Sequence, residues 1–185
     1  MKRLFDILFS GLLIIVLLPL GIVVSIWIML DDFGSPFFVQ QRVGLNGRNF
    51  GLLKFRSMYI DAPSVSTHLA NNNYVTGFGR FLRISKLDET LQLFNVLKGD
   101  MSLVGPRPNL FMQIELIDER NKRLVYSCRP GITGLAQVNN VDMSNPRLLA
   151  EIDAKWLNEM SVKLYLQIML LTMLGKGYGD RLLKS

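Results

Sequence analysis

The 185 residues include one cysteine and one histidine. Cys128 has no partner for an internal disulfide, which fits a reducing compartment. His68 has no second histidine or partner carboxylate nearby, so it reads as a surface residue. Zinc-ligand spacing is absent. Basic residues do not alternate with aromatic ones in any repeating pattern, so the net charge of +6 is no nucleic-acid signal. A basic balance of this kind suits anionic lipid headgroups or phosphorylated substrates instead. Internal repeats and low-complexity segments are missing as well.

Apolar residues, by contrast, are plentiful. They make up 49% of the chain and crowd its first thirty positions. The length suffices for one domain with a real core. Lys2-Arg3 precedes an apolar run over residues 4–30, interrupted by Asp6. A bilayer span needs about 20 residues. The run is too long for a signal-peptide core, and no small-residue cleavage site follows it. Two readings stand. A straight span puts its two ends on opposite sides; a re-entrant hairpin returns both to one side. Pro19 near the middle removes a backbone bond and kinks the helix, and Gly21 loosens the same region. Lys2 and Arg3 before the run balance Arg42 and Arg48 after it, so the positive-inside count favours neither direction. Asp6 is expected at the interface, paired with Arg3 or another local cation.

After a turn at Asp31-Asp32-Phe-Gly-Ser-Pro, residues 37–43 and 50–58 read as strands of a hairpin around Gly44-Leu-Asn-Gly47. Lys54 and Arg56 lie among the strand apolars, where a solvated face explains them as well as ligand contact does. Residues 59–75 read as a surface loop, 77–84 as a short basic helix and 110–126 as a solvated amphipathic helix. Residues 135–138 read as a short strand. Residues 146–160 and 162–174 read as helices, with Pro146 in a first turn. Trp156, Tyr165 and nearby lysines suit the interface plane, although a core helix fits the same pattern. Residues 176–185 read as a tail.

Residues 83–108 carry the chemistry. Leu87, Leu91 and Phe94 have helical spacing, and Ser85 with Asp88 resembles a capping box, so one helix is expected from about Lys86 to residue 97. Asp88, Gln92 and Asn95 share one polar stripe, while Glu89 points about 100° away from Asp88. Two acidic residues in a first turn complement the helix dipole, and that alone explains them. An ionised carboxylate is also a nucleophile or a hard-cation ligand. Arginines flank the pair. Arg107 sits between Pro106 and Pro108, and Arg129 precedes Pro130-Gly131, so both backbones are restricted. A rigidly presented guanidinium grips phosphate bidentately.

The run Leu-Asp-Glu-x-Leu-Gln-Leu-x-Asn-Val-Leu-x-Gly-Asp-Met-Ser-Leu-Val-Gly-Pro-Arg-Pro, followed by Arg-Pro-Gly-Ile-Thr-Gly-x-Ala-Gln-Val-Asn, resembles the bacterial sugar transferases. These are the monotopic phosphoglycosyl transferases. The likeness covers nearly the whole chain. It implies an α+β fold, mostly helical: a Pro-broken re-entrant membrane helix over residues 1–32, then a catalytic domain over residues 33–185 with a short β-hairpin and interfacial amphipathic helices. It implies transfer of a sugar 1-phosphate from a UDP-sugar to polyprenol (undecaprenyl) phosphate, with release of UMP. The place would be the cytoplasmic face of the bacterial inner membrane. Carried over residue by residue, Asp88 is the nucleophile and a Mg²⁺ ligand, and Glu89 helps bind Mg²⁺ or assists proton handling. Arg83, Arg107, Arg129, Lys54, Arg56 and Gln137 contact substrate. Leu18-Pro19 stands where the family has Ser-Pro, and Thr90-Leu91 where many members have Leu-Pro. Two other classes compete: a non-catalytic adaptor on anionic lipid, and a metal-dependent hydrolase of lipid diphosphates.

Overall fold

The computed structural model describes residues 2–62 and 74–177. His68, most of the expected 59–75 loop and most of the expected tail lie outside the described residues. Helix α1, Lys2–Asp32, is one continuous helix that carries Pro19 inside it. The hairpin pairs β1, Phe37–Val43, with β2, Asn49–Phe55, antiparallel, Phe37 opposite Phe55 and Val43 opposite Asn49. Helix α2, Gly77–Ser85, leads to a 3₁₀ turn, Leu87–Glu89, and then α3, Gln92–Lys98. Strand β3, Ser102–Val104, pairs in parallel with β4, Gly131–Thr133. Between them lies α4, Ile114–Lys122. The chain goes on through α5, Leu135–Val138, α6, Pro146–Glu159, and α7, Val162–Met173. This is the mostly helical α+β arrangement the sequence implied.

Among the described residues, α1 is the one helix long and apolar enough to cross a membrane. Its buried positions are Asp6, Ser10, Val24 and Ile28, with Leu13, Ile14 and Leu17 half-buried between them. Those positions recur at helical spacing and draw one stripe along the helix. The first half of the stripe packs on the main core, built from Leu93, Val96, Met101, Trp156 and Ile168. The second half packs with Phe55 and Leu82. Leu8, Leu12, Ile15, Val16, Ile22 and Val23 face outward, all more than half exposed or close to it.

Both ends of α1 are fastened to the same body. At the start, Arg3 donates to the Val96 carbonyl (2.6 Å) and the Leu97 carbonyl (3.0 Å), a cation on the C-terminal end of α3. Lys2 stands 5.4 Å from the centre of the Trp156 ring. At the far end, Arg56 reaches Asp32 at 3.6 Å. The expected Asp6–Arg3 pair is not what holds Asp6. Its carboxylate is buried and accepts from the Ser102 hydroxyl (2.9 Å), the Leu103 amide (3.1 Å) and the Tyr165 hydroxyl. Burial, and then the carboxylate itself, push the Tyr165 phenol up, so it stays a donor. A buried carboxylate needs donors more than it needs a cation in water, and β3 and α7 supply them.

Four expected elements differ; the second hairpin strand, expected over 50–58, ends at Phe55. Residues 86–97 are not one helix. The Ser85 hydroxyl turns back to the Phe81 carbonyl (2.8 Å) and closes α2, and Lys86 takes a left-handed conformation (φ 58°). The capping box therefore does not form, and Asp88 and Glu89 sit on a tight turn between two helices. Residues 135–138 are a helical turn, not a strand. The Asn139 amide bonds back to the Leu135 carbonyl (3.2 Å), and the pairing strand lies earlier, at β4. The expected helix over 110–126 is shorter, and it is not merely solvated: Leu116 and Arg120, four apart, are both buried. Arg120 meets Asp153 of α6 at 2.6 Å, with side chains 1% and 3% exposed. Its other amino group holds the Arg107 carbonyl (2.9 Å) and Asn109 Oδ1 (2.8 Å).

Removing one member of such a pair strands the other. We expect Arg120→Met to lower the unfolding free energy by about 3–5 kcal/mol in denaturant titration. Arg120→Met with Asp153→Leu should recover most of it. Equal losses in the single and double variants would contradict the pair's role.

Candidate active site

Three distant segments meet at Glu89. The 3₁₀ turn presents it, β2 brings Lys54, and the loop after β3 brings Arg107. Glu89 Oε1 lies 3.2 Å from Lys54 Nζ and 2.5 Å from Arg107 Nη2, and Oε2 receives Arg107 Nη1 at 3.4 Å. All three side chains are at most 15% exposed. Asp88 beside it is buried too. Two cations thus meet one buried carboxylate, with a second carboxylate next to it in the turn.

Backbone crossing fixes Arg107. The Gly105 amide donates to the Thr133 carbonyl (2.8 Å), and the Gly131 amide donates to the Pro106 carbonyl (2.9 Å). A Cβ on Gly131 would fall 2.0 Å from the Gly105 nitrogen, and one on Gly105 2.6 Å from the Arg129 carbonyl oxygen. The Gly-Pro-Arg-Pro and Pro-Gly-Ile-Thr-Gly stretches are thus one joint, which explains their glycines. Asn95 ties α3 to the hairpin through the Leu53 amide (2.9 Å) and the Gly51 carbonyl (2.8 Å). The polar stripe of Asp88, Gln92 and Asn95 therefore faces inward.

The expected substrate residues divide. Lys54, Glu89 and Arg107 meet, with Asp88 adjacent in the same turn. Arg83, at the end of α2, donates to the Ser57 hydroxyl (2.9 Å). Arg56 is tied to Asp32 at the end of α1. Arg129 donates to the Gly99 carbonyl (2.8 Å), past the C-terminal end of α3, whereas Glu89 precedes its N-terminal end. Gln137 shares a pocket of about 220 Å³ with Glu89. Leu13 and Leu17 of α1 form one wall of that pocket. Lys86, Thr133 and Thr172 also line it. These three escaped the sequence reading: hydroxyls carry no spacing signature, and a left-handed lysine reads as helix.

Among the described residues no group of three or more His, Cys, Asp and Glu side chains stands ready for a metal. Mg²⁺ characteristically takes one or two carboxylates and completes its shell with water and substrate phosphates; Asp88 and Glu89 are the carboxylates at hand, although both Glu89 oxygens also receive Lys54 or Arg107. Cys128 is no rival nucleophile: burial pushes its thiol up to about 11, so it is neutral near pH 7.

The chain belongs to the bacterial sugar transferase family, whose model matches residues 1–176. It is 39% identical over 163 residues to a UDP-glucose:undecaprenyl-phosphate glucose-1-phosphate transferase of Caulobacter vibrioides, covering 82% of this chain and 61% of the relative. It is 39% identical over 173 residues to an uncharacterized sugar transferase of Bacillus subtilis, covering 93% and 85%. A UDP-N-acetylgalactosamine-undecaprenyl-phosphate N-acetylgalactosaminephosphotransferase of Aeromonas hydrophila is 35% identical over 189 residues, covering 97% and 45%. Alignments thus span from 34% to 61% of the length of several curated relatives it matches.

Neutralising Glu89 takes a carboxylate away from Lys54 and Arg107, whose side chains are at most 15% exposed. Glu89→Gln should cost about 3 kcal/mol of stability by denaturant titration. A loss under about 1 kcal/mol would mean that the carboxylate does not hold the two cations.

Proposed function

We propose that the chain transfers a sugar 1-phosphate from a UDP-sugar to a polyprenol phosphate, undecaprenyl phosphate in particular, and releases UMP. The observation that carries this reading is the buried acidic turn Asp88–Glu89, in which Glu89 is clamped by Lys54 and Arg107 and lines a pocket walled by a membrane-length helix. A charged, soluble donor and an embedded acceptor need such a meeting place. The names of the relatives support both substrates.

In the first step an Asp88 carboxylate oxygen attacks the β-phosphorus of the nucleotide sugar. A P–O bond forms to Asp88, and the P–O bond to UMP breaks. In the second, a phosphate oxygen of the polyprenol phosphate attacks the same phosphorus and releases Asp88. The product is a polyprenol diphosphate sugar. Both steps need negative charge offset around phosphorus, and Arg107 and Lys54, held beside Glu89, are assigned to provide it. Asp88 and Glu89 are the oxygens that would hold Mg²⁺, which supplies further charge neutralisation to the diphosphate. Arg83 and Arg56, near the hairpin end and α1, are assigned to phosphate or headgroup contact. Arg129, at the far end of α3, is assigned to the outer part of the nucleotide.

Asp88→Asn should abolish UMP release while leaving the protein on the membrane; full activity in the variant would refute the nucleophile. Omitting the polyprenol phosphate separates the classes: a hydrolase turns over without it, an adaptor never does.

We also read α1 as re-entrant, with the domain on the cytoplasmic face of the bacterial inner membrane. Arg3 and Asp32, at opposite ends of α1, are both anchored to the one domain, which supports a monotopic helix over a span. Cysteines placed at Lys2 and Asp32 should label from the same side of sealed vesicles. Labelling from opposite sides would rule the hairpin out.

A further inference from the structure

The pocket beside Glu89 has a hydrogen-bond polarity that restricts what it can hold. Gln137 donates its amide nitrogen to the Ile132 carbonyl (3.2 Å), which fixes which end of the side chain is which. Its Oε1 is buried and has no partner among the described residues. On the neighbouring strand, the Thr133 hydroxyl lies 2.7 Å from the Thr172 hydroxyl. Thr172 spends its own proton on the Ile168 carbonyl (2.9 Å). With that proton on Ile168, Thr133 donates to Thr172 and its lone pairs are left to accept. One wall then presents two acceptors, Gln137 Oε1 and Thr133 Oγ1. An acceptor kept dry without a donor costs about 1–3 kcal/mol, so this wall is complementary to a ligand with donors.

Lys86 and Lys176 also line the pocket and suit a phosphate, but a phosphate has only acceptors and finds no donor at Gln137 Oε1 or Thr133 Oγ1. Uracil offers one N–H between two carbonyls, which matches one acceptor and opposes the other. A pyranose offers several hydroxyls along one edge, or a hydroxyl and an acetamido N–H. It also has an apolar face, for which Leu13, Leu17 and Leu93 line the pocket. The volume of about 220 Å³ is small beside the ~300–1,000 Å³ of ordinary ligand sites, which suits one ring and not a whole nucleotide sugar.

We propose that this pocket is the sugar subsite, and that Gln137 and Thr133 select the sugar by accepting from two of its donors. The proposal rests on the transferase reading and adds which group of the donor lies beside Glu89. Gln137 then contacts the sugar and not the nucleotide.

The test uses the chain in nanodiscs with undecaprenyl phosphate. UMP release is measured with UDP-glucose, UDP-galactose and UDP-N-acetylgalactosamine, and with deoxy analogues of the best of them. UDP serves as a competitive inhibitor. For Gln137→Leu and Thr133→Val, kcat/KM for the best sugar should fall about ten- to a hundredfold, the size of one buried hydrogen bond. For each variant, one deoxy analogue should show no further loss, and the UDP inhibition constant should move less than twofold. Thr133→Ser keeps the acceptor and should keep the original order of sugars, which separates lost recognition from lost folding. An inhibition constant for UDP that shifts as far as KM, or equal losses for every analogue, overturns the proposal. Should the unaltered chain release no UMP from any of the sugars, the transferase reading itself falls, and this inference with it.

Discussion

A carboxylate held away from water stays ionised only if cations or donors surround it, and most of this fold serves that need at Glu89. Lys54 arrives from a hairpin thirty-five positions earlier and Arg107 from a loop eighteen later. Neither segment reaches Glu89 alone. The hairpin is held to α3 by Asn95, and the Arg107 loop is held from behind by Arg120 through its backbone carbonyl. The acidic turn, in its left-handed exit from α2, is the fixed point to which both are brought.

The long apolar helix belongs to the same construction. Its buried Asp6 holds β3, and β3 runs directly into the Arg107 loop. Leu13 and Leu17 of the same helix wall the pocket. The membrane-length helix and the site geometry therefore share one element. The proposed transfer, between substrates that differ this much in solubility, would gain from that sharing.

Much of this was legible in the sequence because it rests on local rules. The hairpin, the basic helix and the Pro146 helix follow from alternation, turn residues and capping. The Asp88–Glu89 pair and Arg107 stand out because prolines and glycines frame them. Tertiary effects hid the rest. Helical spacing at Leu87, Leu91 and Phe94 concealed the break at Lys86, because Ser85 bonds backward, which no spacing reveals. Asp6 looked interfacial because its donors lie about a hundred positions away. Arg120 looked solvated because its partner Asp153 is on another helix. The Thr133–Thr172 pair joins a strand to a helix thirty-nine residues on. Arg129, like Arg107, precedes a proline, yet it bonds to the Gly99 carbonyl at the opposite end of α3.

The central claim is that Asp88 takes the sugar phosphate onto itself before the lipid receives it. Intact-mass spectrometry of the protein after incubation with the UDP-sugar alone tests this most directly. The account predicts an added sugar phosphate that maps to Asp88 and disappears when polyprenol phosphate is supplied. An unmodified protein that nonetheless releases UMP once the lipid is added would contradict it.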